Sequence, residues 1–190
     1  LESVASLGFR GEALASIAAV ARLTLTSRAV GAPHAWRVTA QDGVVFPLEP
    51  AALSRGTVVE VRDLFFNTPA RRKFLKTPAT EYAHCEEALR RMALARAGVA
   101  FELRHNGRVI WRHGPQAWDE RVMAVMGEDF TRAARTVDES AGEIRLHGLV
   151  GLPAYHRAGR DAQYLYVNGR HVRDKLLNHA VREAFRDVLH

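Results

Sequence analysis

Cysteine and long apolar runs are the scarcest features of this sequence. The 190 residues contain one cysteine, Cys85, which excludes an internal disulfide framework and fits a reducing compartment. No stretch approaches the roughly 18–20 consecutive apolar residues of a membrane-spanning helix. We therefore expect a cytoplasmic protein without a membrane partner.

Self-contained catalytic and metal-binding signatures are also missing from the sequence. There is no HExxH motif, no zinc-spaced cysteine pair, no GxSxG elbow and no GxxxxGK[ST] phosphate loop. His84 and Cys85 are neighbours on a predicted helix and point in different directions, which argues against a shared site. We predict no metal ligands and no catalytic residue within these 190 residues.

Basic residues outnumber acidic residues in the chain. Lysine and arginine total 27 against 21 acidic residues, which gives a net charge of +6 and a pI of about 10.1. Such a balance favours a polyanionic partner, because cations that neutralise phosphates release counterions. A solvated basic surface would produce the same balance, so charge alone leaves nucleic-acid binding open.

The apolar pattern switches repeatedly between helical and strand spacing. Helical spacing covers residues 13–21 and 78–98, and a last helix near residues 176–188 carries an apolar stripe that we interpret as core. Alternation predicts strands at residues 23–26, 36–46, 58–61, 99–111, 144–149 and 164–167. Asp-Gly and Asn-Gly pairs between such runs predict tight hairpins. The expected class is α+β, with helices on a largely antiparallel sheet.

A glycine and a proline at residues 114–115 interrupt the pattern and predict a domain boundary. The expected domains cover residues 1–115 and 116–190.

The opening segment GFRGEAL, residues 8–14, combines two glycines with the start of a helix. Gly8 and Gly11 permit positive φ, and unpaired N–H groups at the helix start favour an anion. Arg10 adds a positive charge, and Glu12 suits the helix dipole with or without a phosphate. The same spacing also describes a plain glycine-rich connection, so both interpretations stay open.

Two segments concentrate positive charge. The first follows a sharp turn and contains Arg71, Arg72, Lys73 and Lys76. The second lies around the last helix and contains Arg170, Arg173, Lys175, Arg182 and Arg186. Both are candidates for contact with a phosphate backbone, and both also fit solvated helix surfaces.

Three strings resemble the MutL family of DNA mismatch repair proteins. They are GFRGEALASIAAVARLTLTSR (residues 8–28), GTVVEVRDLFFNTPARRKFLK (residues 56–76) and YVNGRHVRDKLLNHAVREAF (residues 166–185). The resemblance implies part of a gyrase, histidine-kinase and MutL-type ATPase sandwich up to residue 115. It implies an incomplete transducer domain, similar to domain 2 of ribosomal protein S5, from residue 116 onward.

The resemblance also implies roles for individual residues. Lid and adenine-pocket positions that would contact ATP are Gly8, Phe9, Arg10, Gly11, Glu12 and Thr57. The positions that would contact DNA are Lys175, Arg170 and Arg173. Arg91 is a further such position, which matches the family less closely.

The catalytic groups of the family are expected before the first residue of this chain. The family's general-base glutamate, its asparagine ligand for Mg²⁺ and its DxGxG motif precede GFRGEAL, and none of them occurs between Leu1 and that segment. The resemblance therefore places the general base upstream of Leu1. We expect the parent protein to be an ATPase and these 190 residues alone to be inactive.

The implied function is an ATP-switched scaffold of DNA repair after replication errors. The scaffold would dimerise on ATP binding, bind DNA in the nucleoid, and couple a MutS-type mismatch-recognition protein to a strand-nicking endonuclease or a helicase. Two alternatives remain. The chain would act as a stand-alone DNA-binding module, or it would be a fragment of a gyrase-B-like ATPase.

Overall fold

A computed structural model describes residues 11–152, 155 and 163–186. The chain divides into two compact units between Pro78 and Ala79. Among the described residues, no helix is long and apolar enough to cross a membrane. The domain boundary near residue 115 stays a prediction. Residues on both sides of it belong to the second unit.

The first unit is built on a five-stranded antiparallel sheet. Its helices are α1 (Ala13–Ala18) and α2 (Pro69–Arg72), and its strands are β1 (Arg22–Arg28), β2 (Ala35–Gln41), β3 (Val44–Val45), β4 (Glu49–Ala51) and β5 (Gly56–Arg62). Strand β1 lies between β2 and β5, and β3 and β4 both pair with β2. A small core forms where Ala18 and Ile17 of α1 pack against Leu23 and Ala40.

The described residues of the second unit form four helices and three two-stranded ribbons. The helices are α3 (Pro78–Ala95), α4 (Trp118–Met126), α5 (Glu128–Arg132) and α6 (Lys175–Phe185). The ribbons pair β6 (Phe101–His105) with β7 (Arg108–His113), β8 (Ala134–Ala141) with β9 (Ile144–Gly151), and β10 (Leu165–Val167) with β11 (Arg170–Val172). The predicted α+β class is confirmed.

The three predicted tight turns are present. Asp42-Gly43, Asn106-Gly107 and Asn168-Gly169 all have positive φ at both residues, between 50° and 77°. Two consecutive positive φ angles match the twist of a two-residue hairpin, and Asn-Gly or Asp-Gly adopts them at low cost. These pairs therefore fix the β2–β3, β6–β7 and β10–β11 hairpins.

Several described elements escaped the sequence pattern, among them β4, β8, β11 and α5, and one interpretation is wrong for the described part of the chain. Strand β8 reads ARTVDESA and has too little apolar alternation to be recognised, and α5 is only five residues long. The stripe of α6 was interpreted as core, but no residue of that helix is buried, and Leu176 is 74% exposed. An amphipathic pattern predicts the helix, whereas its burial depends on a partner surface that the described residues do not supply.

Candidate functional site

The predicted phosphate-binding segment is described only from Gly11 onward. Gly8, Phe9 and Arg10 lie outside the described residues. Gly11 has φ +67°, and a Cβ placed on it would meet nothing within 4 Å, so its backbone is open to a close approach. Glu12 precedes α1 as its N-cap residue, and its side chain makes no capping hydrogen bond.

The expected position of the catalytic base falls outside the part of the chain that the structure describes. The resemblance places that glutamate upstream of Leu1, and Leu1 itself belongs to residues 1–10, which lie outside the described residues. No described contact therefore bears on the general base. Its location upstream of Leu1, and the inactivity expected of these 190 residues alone, stay predictions.

Thr57 lies near the start of β5, directly opposite Ser27 of β1. The two side-chain hydroxyls are hydrogen-bonded at 2.8 Å, and Ser27 also donates to the carbonyl of Gly56 at 3.4 Å. Side chains alternate between the faces of a sheet, so Thr57 shares its face with Leu23. Leu23 packs under α1, and Thr57 therefore lies on the face of the sheet that carries the helix after Gly11.

The described part of this region fits a nucleotide in two respects. Gly11 leaves room above its backbone, and the exposed residue Thr57 lies on the same sheet face as α1. In the described ranges, no group of three histidine, cysteine, aspartate or glutamate side chains is arranged to hold a metal ion.

In the second unit, helix α3 is joined to the β10 segment by two half-buried tyrosines. The Tyr166 hydroxyl donates to the backbone carbonyl of Arg91 at 2.9 Å, and the Tyr164 hydroxyl donates to Oε2 of Glu87 at 3.1 Å. Oε1 of the same Glu87 accepts a hydrogen bond from Nε of Arg91 at 2.9 Å. Glu87 thus orients Arg91 while Tyr164 holds the carboxylate.

The tyrosine contacts bring together residues that are far apart in the sequence. Arg170 is the first residue of β11, and Arg173 follows that strand directly. Lys175 is the first residue of α6. The side chains of Arg170, Arg173 and Lys175 are exposed, and Arg91 is half-buried on the adjacent α3. All four predicted DNA contacts lie in the second unit, and we call them together the basic surface; the register of β10 and β11 puts Arg170 on the ribbon face opposite Tyr166 and His171.

His171 lies within the basic surface and reports its positive potential. Its ring contacts those of Tyr164 and Tyr166 at centroid distances of 6.5 and 5.6 Å. Burial lowers the pKa of His171 below its ordinary value, and the positive charges of Arg91 and Arg173 lower it further. The cationic side chains thus lie close enough to disfavour an additional charge.

The other predicted basic segment, at residues 71–76, lies in the first unit. Arg71 and Arg72 end the four-residue helix α2, and Phe74 beside them is 80% exposed. Asn67 anchors the preceding turn by donating to the carbonyl of Ala19 at 2.9 Å. The segment is an exposed turn on the first unit, and its role stays a prediction.

Sequence reasoning missed Arg121, the one charged side chain of the described residues that is fully buried. It lies in α4 on the same face as Trp118, Val122 and Val125, by the spacing i, i+3, i+4 and i+7. Its guanidinium donates to backbone carbonyls of Ala93, Arg96, Ala97, Val99 and Gly114. The sequence did carry a signal for this burial, because Arg121 falls on the apolar face of the predicted helix.

Comparison with protein families adds an independent line of evidence. The family described as "DNA mismatch repair protein, C-terminal domain" matches residues 122–190. "DNA mismatch repair protein MutL" of Thiobacillus denitrificans is 60% identical over the whole chain, and that of Herminiimonas arsenicoxydans is 54% identical. The chain spans about a third of the length of these curated relatives, 32% and 31% respectively.

Solved structures show the same relationship in three dimensions. The "Aquifex aeolicus MutL ATPase domain complexed with ADP" superposes with a TM-score of 0.75 at 31% identity. That match covers 90% of this chain and 67% of the Aquifex chain. The N-terminal domain of a DNA repair protein has a TM-score of 0.79 at 24% identity, covers 96% of this chain and 61% of its own, and supports the fold alone.

Proposed function

Because the chain belongs to the MutL family of DNA mismatch repair proteins and has the fold of part of its ATPase domain, we propose that it contributes a DNA-binding surface to a nucleotide-switched repair scaffold. The observation that carries this proposal is the hydrogen bond from Tyr166 to the carbonyl of Arg91, which joins α3 to the β10–β11 ribbon that carries Arg170 and leads to Arg173 and Lys175. The gyrase-B-like alternative is disfavoured by the family membership.

The electrostatics of α6 support a role for Lys175 in binding phosphate. A positive side chain at the first position of a helix opposes the dipole and costs about 0.3–1 kcal/mol. Asp174 partly offsets this cost, because its carboxylate accepts hydrogen bonds from the N–H groups of Leu176 and Leu177 at 2.8 and 3.0 Å. A phosphate beside Lys175 would have the ammonium group in its favour, while the N–H groups of Leu176 and Leu177 stay with Asp174.

DNA is the polyanion that this surface fits in the context of mismatch repair. Arginine and lysine side chains that contact phosphates position a protein on the duplex without reading its sequence. The proposal is therefore backbone binding that tolerates any sequence, as a protein acting at mismatches throughout a genome requires.

The salt dependence of DNA binding tests this proposal. The affinity of the chain for a short fluorescein-labelled duplex would be measured by anisotropy at increasing NaCl concentration. Lys175→Glu should weaken binding and reduce the slope of log K against log salt by about 1. Arg108→Glu, on the β6–β7 hairpin, is the matched control. Equal effects of the two variants would remove Lys175 from the interface.

The nucleotide part of the proposal assigns Gly11, Glu12 and Thr57 to an ATP site, together with Gly8, Phe9 and Arg10. The related Aquifex domain was crystallised with ADP. In this chain the Gly11 backbone would approach phosphate oxygens and the Thr57 hydroxyl would line the base pocket. Bound ATP would supply the free-energy difference between open and closed states of the scaffold, including its self-dimer.

A hydroxyl deletion tests the nucleotide assignment. Thr57→Val keeps the size of the side chain and removes its hydrogen-bonding group, so it should weaken binding of a fluorescent ATP analogue. Thr24→Val is the control, because Thr24 lies on the opposite face of the same sheet, where it pairs with Glu60. Unchanged analogue affinity in Thr57→Val would remove Thr57 from the site. Interactions with a MutS-type protein and a nicking or unwinding enzyme belong to the same proposal and require pull-down experiments with the full-length parent.

A further inference from the structure

Arg96, which follows α3, lies flat against the Asn168-Gly169 turn of the β10–β11 hairpin. A Cβ built on Gly169 would be 3.2 Å from Nη1, 3.6 Å from Cζ and 3.6 Å from Nη2 of Arg96. Three guanidinium atoms at nearly equal distances indicate that the plane of the group faces the glycine. Gly169 has φ +76°, and its missing side chain is what lets the guanidinium approach the backbone.

The guanidinium of Arg96 is not used to hold the protein together by hydrogen bonds. Within residues 11–152, 155 and 163–186, no acceptor takes a hydrogen bond from it and no carboxylate pairs with it. A guanidinium that stacks through its plane keeps its N–H donors at the edge, in the geometry that suits bidentate phosphate binding. Arg96 is exposed, so those donors reach solvent.

A second Asn-Gly hairpin in the same unit shows that this stacking is specific. Asn106-Gly107 joins β6 to β7 with φ angles of 50° and 77°, almost equal to the 50° and 76° of Asn168-Gly169. An arginine follows each pair, Arg108 in one hairpin and Arg170 in the other. A Cβ on Gly107 would meet nothing within 4 Å, so in the described part of the chain no side chain lies against Gly107 as Arg96 lies against Gly169.

The position of Arg96 extends the basic surface along the hairpin. Arg91 lies earlier on α3 and contacts the β10 strand through Tyr166, while Arg96 covers the turn that precedes Arg170. Among the described residues, the Glu87 carboxylate accepts a hydrogen bond from Arg91, and the Asp174 carboxylate caps the start of α6.

We propose that Arg96 is a further DNA-phosphate contact, held by stacking on Gly169 so that its N–H donors face the duplex backbone. This inference rests on the DNA binding proposed for the same surface. Arg96 acts through charge and donor geometry, and the turn supplies its platform. The contact adds affinity without sequence preference, because it reaches phosphate and not base edges.

The experiment compares Arg96→Gln with Arg108→Gln, which removes the same charge beside the uncovered Asn-Gly turn. Each variant of the chain would be titrated with the labelled duplex at several NaCl concentrations. Losing one phosphate contact lowers the salt slope by about 0.9, so between about 50 and 200 mM salt the wild type should lose about 3.5-fold more affinity than Arg96→Gln. Arg108→Gln should follow the wild-type slope, and Arg96→Lys should retain most of it because its charge remains.

The outcomes separate this inference from the function on which it rests. If Lys175→Glu lowers the slope and Arg96→Gln matches Arg108→Gln, the Arg96 contact is wrong and the proposed DNA binding stands. If the wild type shows no salt-dependent binding, both are wrong. Thermal unfolding by circular dichroism would be run on every variant. The contact is supported if Arg96→Gln lowers the slope of log K against log salt without changing the midpoint of thermal unfolding, and if Arg96→Lys restores that slope.

Discussion

Arg121→Met should destabilise the second unit by removing a buried network of charged hydrogen bonds. Arg121 is 0% exposed and lies over the ring of Phe101, with Cζ 5.6 Å from the ring centroid. Its guanidinium joins α4 to the carbonyls at the end of α3 and after β7. Methionine has a similar length and apolar stem but offers no donor, so the substitution isolates the hydrogen-bonding role.

The size of the effect follows from the four shorter bonds. They run to the carbonyls of Ala93, Ala97, Val99 and Gly114, at 2.8, 3.1, 2.9 and 2.7 Å. The Ala93 bond is fully buried, and leaving its carbonyl unpaired costs about 1–3 kcal/mol, whereas the other three reach partly hydrated positions and cost less each. Relief of the desolvated charge offsets part of the loss, because burial also lowers the pKa of Arg121. We expect a net loss of about 3–5 kcal/mol.

Urea unfolding followed by tryptophan fluorescence measures this loss in the relevant unit. Of the three tryptophans, Trp36 lies in the first unit and Trp111 and Trp118 lie in the second. A Trp36→Phe background therefore restricts the signal to the second unit. Arg108→Met is the control, since Arg108 is an exposed arginine of the same unit. A change below about 1 kcal/mol in Arg121→Met would refute the network argument, because a single buried unpaired carbonyl already costs that much.

Three further outcomes test other parts of the second unit. Asp174→Ala should destabilise α6 by about 1 kcal/mol in urea unfolding, because two N–H groups lose their acceptor. Asp174→Asn should recover most of this stability, and equal losses in the two variants would contradict the capping role. Gly169→Ala should lower the free energy of unfolding more than Gly107→Ala does, because both glycines have positive φ but only Gly169 lies against Arg96. Equal losses in the two variants would mean that Arg96 imposes no steric constraint on Gly169. The pKa of His171 is lowered in the folded state, so the unfolded state binds a proton at this residue more readily. The stability that the neutral ring contributes is therefore present above the ordinary pKa of about 6.5 and is lost as the pH falls below it. His171→Gln should therefore flatten the fall in stability between about pH 7 and 5.5 relative to the wild type, and an unchanged profile would show that His171 does not carry it.

Local chemistry determined much of the fold. Asp42-Gly43 and the two Asn-Gly pairs specified tight turns, because those residues accept the positive φ that such hairpins need. Period-two alternation located the strands, and Pro78 marked the start of α3. Strand β8 escaped because a mostly exposed ribbon needs little apolar alternation. The three family strings identified the MutL relationship, which the comparisons confirmed.

The sequence by itself determined the class, the Asp-Gly and Asn-Gly turns and the family, because these depend on local backbone preference and on short residue strings. The tertiary structure decided which cations lie beside the β10–β11 ribbon. Arg91 and Arg96 lie beside it because Tyr166 binds the carbonyl of Arg91 and Gly169 admits a guanidinium. It also decided that Arg121 is buried while the apolar stripe of α6 is exposed, two results that periodicity cannot supply, since burial is set by the surface on the other side of the contact.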